Sequence, residues 1–126
     1  MLTLVDTSIW IEYFRSGNNS EKLDFLIDEN IVVINDLILA EIVPFLKVRN
    51  QRRVIDLLHN IKKLKLSIDW EQIIDFQYQC LKTGLNGIGI PDLIVAQNAI
   101  QNGAEIYSHD HHFRRMKDIL NLHLAD

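Results

Sequence analysis

The sequence predicts a three-layer α/β/α sandwich built around a central parallel sheet. Short apolar runs at 2–5, 31–34 and 105–107 are bounded by polar residues, which is typical of strands buried on both faces. The longer stretches between them carry apolar residues at helical spacing. Strands that alternate with helices favour a parallel sheet covered by helices on both sides.

Residues suited to capping mark several of the predicted helices. Asn35 and Asp69 can accept hydrogen bonds from first-turn N–H groups, so each is expected to begin a long helix. Pro91 at the start and Gly103 beyond the end bound a later helix. The predicted strands are 2–5, 31–34, 64–68, 105–107 and 120–124. The predicted helices are 8–15 ending at Gly17, 21–29 capped by Ser20, 36–49, 51–61, 70–83 ending at Gly84, 91–102 and 111–117.

Length and composition limit the classes of protein that need to be considered. A chain of 126 residues fits one domain, 1–126, with 48% hydrophobic and 24% charged residues, as in globular proteins. The single cysteine, Cys80, excludes a disulfide framework and a cysteine-based zinc site. No apolar run reaches the length of a membrane span, and the first residues lack the basic start of a signal peptide. We therefore expect a cytoplasmic protein without membrane contact.

Two acidic residues stand at the ends of predicted strands. Asp6 ends the first apolar run, and Asp110 follows the strand at 105–107; in both places a helix comes next. The carboxyl ends of parallel strands meet at one edge of the sheet, where open α/β folds place their ligand sites. Each acid could instead be a simple helix cap.

Two further acids interrupt apolar helix faces. Asp92 lies in the middle of the apolar side of helix 91–102, although an acid in the first helical turn can also serve the helix dipole. Glu41 is predicted to project from the apolar face of helix 36–49, where a buried glutamate needs a partner. A salt bridge to one of the nearby arginines is the alternative explanation for Glu41.

Four carboxylates in one pocket would repel one another unless a positive charge compensates them. A bound divalent cation provides that charge, and an all-oxygen ligand set suits Mg²⁺ or Mn²⁺. This chemistry fits metal-assisted hydrolysis of a phosphodiester.

The four acids lie in four sequence blocks: Val5–Trp10, Ala40–Ile42, Pro91–Ala96 and Ser108–Phe113. These blocks resemble those of PIN-domain nucleases, and their order and spacing are most similar to the VapC toxins of toxin–antitoxin pairs. The resemblance spans the whole chain. It implies a Mg²⁺- or Mn²⁺-dependent endoribonuclease with a site at Asp6, Glu41, Asp92 and Asp110.

The resemblance also implies individual roles and partners. Asp6 and Asp92 would be direct metal ligands, Glu41 and Asp110 would bind the metal directly or through water, and Ser8 would orient Asp6. Family members usually form homodimers and are silenced by a small antitoxin protein. Relatives often carry a further acid two residues after the fourth, where this chain has His112. That difference predicts weaker binding of any second metal.

Charge and the remaining motifs leave alternatives open. Seventeen acidic and thirteen basic residues give a net charge of −4, which does not favour nucleic-acid binding on charge alone. Setting the four pocket acids aside leaves a balanced surface, with basic groups at 47–53, 62–65 and 114–117 that could follow an RNA backbone. We interpret His109, His111 and His112 as a solvated turn. A stand-alone RNA-processing nuclease and a catalytically weak PIN-like binding module remain alternatives, whereas a phosphorylated signalling receiver lacks its paired acids and lysine.

Overall fold

A computed structural model describes residues 1–15 and 20–125, with the side chain of Ser20 left out. The predicted stop at Gly17 and the predicted Ser20 cap therefore lie outside the described part. The strands are β1 (Thr3–Val5), β2 (Val32–Ile34), β3 (Lys62–Lys63) and β4 (Glu105–Tyr107). The helices are α1 (Thr7–Arg15), α2 (Ser20–Asp28), α3 (Asp36–Val48), α4 (Arg52–His59), α5 (Trp70–Lys82), α6 (Ile90–Gln101) and α7 (His111–Leu120).

The strands form one parallel sheet in the order β3-β2-β1-β4. Leu4 of β1 pairs with Val33 on one side and with Ile106 on the other. The chain first builds outward from β1 to β2 and β3 and then crosses back to place β4 on the other side of β1. The boundary between β1 and β4 is therefore a topological switch point, where ligands bind beyond the carboxyl ends of the strands.

Helices cover the sheet in two groups, as a three-layer sandwich requires. Helices α1, α3 and α4 contact one another in sequence, and α5, α6 and α7 contact one another. Strands β1 and β2 are completely buried and β4 is buried except at Glu105, which explains why apolar residues predominate in these strands. The predicted α/β/α fold is confirmed. In the described part of the chain, none of the helices combines the length and apolarity needed to cross a membrane.

The predicted strand at 64–68 is wrong, because the paired residues are Lys62 and Lys63. The chain after β3 leaves the sheet, and side-chain amides of α6 take over its backbone hydrogen bonds. Asn98 Nδ2 donates to the carbonyl of Lys65, and Gln101 Nε2 donates to that of Ser67. Periodicity cannot reveal this arrangement, since it depends on polar side chains more than thirty residues away.

The C-terminal prediction is also partly wrong. Helix α7 continues to Leu120 instead of ending at 117, and Asn121 ends it in the left-handed conformation at φ 58°. Asparagine adopts this conformation more readily than most residues. The predicted strand at 120–124 is reduced to one parallel bridge between Leu124 and Ile106.

Candidate active site

Asp6 is held at the carboxyl end of β1 by bonds to the end of the neighbouring strand β4 and to the start of α1. Its N–H donates to the carbonyl of Tyr107 at 2.9 Å. Its Oδ2 accepts the hydroxyls of Ser8 at 3.0 Å and Ser108 at 2.8 Å. Asp6 is buried, so these two donors replace water around the carboxylate and fix its orientation.

Asp110 both caps α7 and faces the same edge of the sheet. Its Oδ1 accepts the N–H of His112 at 2.9 Å, and its own N–H donates to Ser108 Oγ at 2.9 Å. The cap that the sequence offered as an alternative is therefore real. The same geometry turns the Asp110 carboxylate toward Asp92, so the cap and a place in the site are compatible.

Asp92 reaches the site from the first turn of α6, and its carboxyl interacts electrostatically with the other acids. Burial and, after it, the charges of Asp110, Asp6 and Glu41 together raise the pKa of its carboxyl to about 6, while His112 acts in the opposite direction. The structure thus brings the other three predicted acids within electrostatic reach of Asp92. Their individual roles stay predictions.

Glu41 is exposed, which corrects the expectation of a buried glutamate on an apolar face. It needs no salt bridge, because its Oε1 accepts the hydroxyl of Thr7 at 2.9 Å and water can reach it. The prediction failed because the face of α3 that carries Glu41 opens toward the site instead of the core. Val48, on the same predicted face, is 79% exposed.

A buried amide pair fixes the two helices that carry Glu41 and Asp92. Asn35 caps α3 by accepting the N–H of Ile38 at 2.9 Å, and its Nδ2 donates to Asn98 Oδ1 of α6 at 2.9 Å. Asn35 and Asn98 are both buried. This hydrogen bond ties the start of α3 to the middle of α6, so it sets the relative position of two site helices.

Ser108 and Thr7 are site residues that sequence reasoning gave no role. Ser108 bonds Asp6 and Asp110 together, and it lies 3.3 Å from the hydroxyl of Ser8. A usable signal was present: a serine stands two residues from each strand-end acid, Ser8 after Asp6 and Ser108 before Asp110. The pairing of Thr7 with Glu41 had no such local signal, because the two residues are 34 positions apart.

The tightest set of possible metal ligands in the described part of the chain is Asp92, Asp110 and His112. One ligand atom from each lies within 4.8 Å of the others, and Asp6 is not in this set. The interpretation of the three histidines as a solvated turn holds for His109 and His111, which are exposed. It does not hold for His112, whose Nδ1 lies 3.1 Å from Asp110 Oδ1 and 3.5 Å from Asp92 Oδ2.

The fold and site define a class of α/β protein with an acidic cluster at the switch point of a parallel sheet. The PIN domain family model matches residues 3–119, so the chain belongs to the PIN domain family. A comparison with curated proteins gave no match.

Solved structures with the same fold cover nearly the whole chain. The chain is similar to the structure of VapBC2 from Rickettsia felis bound to a promoter DNA fragment. The TM-score is 0.79 at 23% sequence identity, and the match covers 99% of this chain and 98% of that chain. For DNA-bound VapBC from Salmonella typhimurium the TM-score is 0.77 at 16% sequence identity, and the match covers 100% of this chain and 98% of that chain. VapBC-1 from nontypeable Haemophilus influenzae gives 0.71 at 22% identity, with 100% and 98% covered. At these identities the likeness is one of fold.

Asp92→Asn should stabilise the metal-free protein at neutral pH. A carboxyl pKa raised from 3.8 to about 6 means that ionised Asp92 is disfavoured in the folded state, so its contribution to stability falls as pH rises toward and through 6. The neutral asparagine removes that penalty, and we expect the free energy of unfolding to increase by about 1–3 kcal/mol at pH 7.5. Urea unfolding in EDTA measures it.

The gain should shrink as the pH is lowered to 5, because Asp92 is then mostly protonated in the folded wild type. Asp75→Asn is the control, since it removes an exposed carboxylate on α5 and should give no comparable gain. Destabilisation by Asp92→Asn, or a gain independent of pH, would contradict the crowding of charges around Asp92.

Proposed function

We propose that this protein is a metal-dependent endoribonuclease and the toxin of a toxin–antitoxin pair. The observation that carries the proposal is the crowding of Asp92 by Asp110, Asp6 and Glu41 at the switch point of the sheet. Like charges placed together at a partly buried site are costly unless a cation compensates them. Membership of the PIN domain family and the shared fold with VapBC structures support the same function.

The carboxylates of Asp92 and Asp110, which lie together, fit Mg²⁺ or Mn²⁺, because both ions bind carboxylate oxygens. Asp6 and Asp92 are proposed as direct ligands, with Glu41 and Asp110 completing the site directly or through water. When bound, the cation supplies an activated water and stabilises the charge that develops on the phosphodiester. Burial of Asp6 and the partial burial of Asp92 keep bulk water from competing for these carboxylates.

Hydroxyl groups position the acids for this reaction. Ser8 and Ser108 both donate to Asp6 Oδ2, which leaves the carboxylate one fixed orientation. Thr7 does the same for Glu41, which is otherwise free to move in solvent. We propose these three residues as positioning residues, because each acts through a carboxylate and not on the substrate.

Arg114 is the basic residue best placed to contact an RNA backbone near the site. It lines a cleft together with Ser108, Asp110 and His111. Arg115, in the same predicted basic group at 114–117, lines a separate cleft with Thr83 and Gly84. A guanidinium beside the acids offers phosphate a favourable contact and offsets the repulsion between the acids and the RNA.

An apolar stripe on α5 supports the proposed homodimer. It consists of Trp70, Ile74, Tyr78 and Leu81, which are 54% to 62% exposed and lie on one side of the helix. Exposed apolar patches of this kind mark protein contacts. A single-chain molar mass by light scattering at micromolar concentration would contradict the homodimer.

For the antitoxin, the reading frame adjacent to that of this protein should encode a small DNA-binding protein. The absence of such a reading frame would point to a stand-alone RNA-processing nuclease.

The direct test is cleavage of a labelled RNA containing single-stranded loops by the purified protein. We expect cleavage with Mg²⁺ or Mn²⁺, none after addition of EDTA, and recovery when excess metal is restored. DNA of the same sequence is the matched substrate control and should remain uncut. Binding of RNA without cleavage under every metal condition would instead identify a catalytically weak binding module.

A further inference from the structure

His112 lies in the first turn of α7 with one ring nitrogen between two carboxylates. Its Nδ1 is 3.1 Å from Asp110 Oδ1 and 3.5 Å from Asp92 Oδ2. The nitrogen atom is buried and makes no hydrogen bond, because the short approach to Asp110 is poorly aligned for one. Buried polar atoms in folded proteins are almost always bonded, so this exception requires an explanation.

The separations fit ligands that share one metal ion. In an octahedral site with bonds of about 2.1 Å, neighbouring ligand atoms lie about 3 Å apart. The two distances from Nδ1 are close to that value, and the ligand atoms of all three residues fall within 4.8 Å of one another. The main-chain N–H of His112 donates to Asp110 Oδ1, which keeps the backbone that carries the imidazole next to this carboxylate.

We infer that His112 is a nitrogen ligand of the metal held by Asp92 and Asp110, and that it makes the site prefer Mn²⁺ over Mg²⁺. The inference rests on the proposed metal-dependent function. Mg²⁺ binds oxygen ligands and takes imidazole poorly, whereas first-row transition ions gain affinity from a nitrogen donor. His112 is thus a determinant of metal choice, and it strengthens binding of the ion beside Asp110 instead of weakening it.

The competing explanation is that the imidazole only offsets the charge of the two acids and moves aside when a metal binds. In that case the metal would have oxygen ligands alone, and His112 would not affect the choice between Mn²⁺ and Mg²⁺. The two explanations differ in an observable that does not depend on catalysis: whether nitrogen is bonded to the bound ion.

The experiment measures pulsed electron paramagnetic resonance of bound Mn²⁺ together with the dissociation constants of Mn²⁺ and Mg²⁺. Wild type should show coupling of Mn²⁺ to ¹⁴N, and His112→Ala should lose it. The ratio of the Mg²⁺ constant to the Mn²⁺ constant should fall at least tenfold in His112→Ala. His112→Asp, which restores an oxygen donor, should bind Mg²⁺ more tightly than His112→Ala does and also lack the ¹⁴N coupling.

His111→Ala is the matched control, because His111 is the exposed neighbour whose ring lies 4.7 Å from that of His112. It should keep the wild-type coupling and metal preference. Unchanged coupling and preference in both His112 variants, or their loss in His111→Ala, would overturn the inference. Wild type that binds Mn²⁺ and cleaves RNA without ¹⁴N coupling would overturn the inference alone. If the wild-type protein binds neither ion, the proposed function is overturned as well. The same holds if Asp92→Asn binds both ions as tightly as the wild-type protein does.

Discussion

Asp6→Asn and Asp92→Asn should each lower kcat/KM for metal-dependent RNA cleavage by at least about a thousandfold, since each removes a proposed metal ligand from a site whose chemistry depends on the metal. The shape of the side chain is preserved, and an asparagine oxygen at position 6 can still accept the hydroxyls of Ser8 and Ser108. The loss would therefore come from the missing charge and not from a rearranged site. Initial rates on a labelled RNA at saturating Mn²⁺ and Mg²⁺ measure it.

Asp118→Asn is the matched control for this pair, because it removes one negative charge from an exposed position on α7. It should retain the wild-type rate. Circular dichroism and thermal unfolding verify that all three variants are folded. Undiminished cleavage by either purified site variant would refute the assignment of that residue.

Much of the fold could be predicted from short-range patterns, because strands buried on both faces are continuous apolar runs. Strands β1, β2 and β4 were found in this way, and the caps at Asn35 and Asp69 were confirmed by side-chain bonds to Ile38 and Gln72. The failures at 64–68 and 120–124 share one cause. Both segments alternate apolar and polar residues, which favours a strand, but a strand also needs a partner edge in register, and that depends on distant parts of the chain.

The site was predictable to the extent that strand ends determine it. Asp6 and Asp110 follow paired neighbouring strands, so the parallel topology alone places them at one edge. Exposure of Glu41 and the inward direction of His112 were not predictable. Both depend on how a helix is rotated relative to the sheet, which is set by tertiary contacts such as the Asn35–Asn98 bond and the packing of α7 against α5 and α6.

Among the polar residues discussed, substitution in the Asn35–Asn98 pair should lower the stability of the fold the most. Asn98→Ala should lower the free energy of unfolding by about 3 kcal/mol, because it leaves the buried Asn35 Nδ2 without its partner and also removes the bond to the Lys65 carbonyl. A buried polar group that loses its hydrogen-bond partner destabilises the folded state by its full desolvation free energy. Urea unfolding followed by circular dichroism measures the change.

Asn102→Ala is the matched control one turn further along the same helix. Asn102 is exposed and donates to the Asn98 carbonyl, so its loss should cost about 0.5 kcal/mol or less. Asn35→Ala removes both the α3 cap and the bond to Asn98, so combining it with Asn98→Ala should destabilise by less than the sum of the two. Additive losses would mean that the two amides act independently. In that case the Asn35–Asn98 hydrogen bond would not be what fixes α3, which carries Glu41, relative to α6, which carries Asp92.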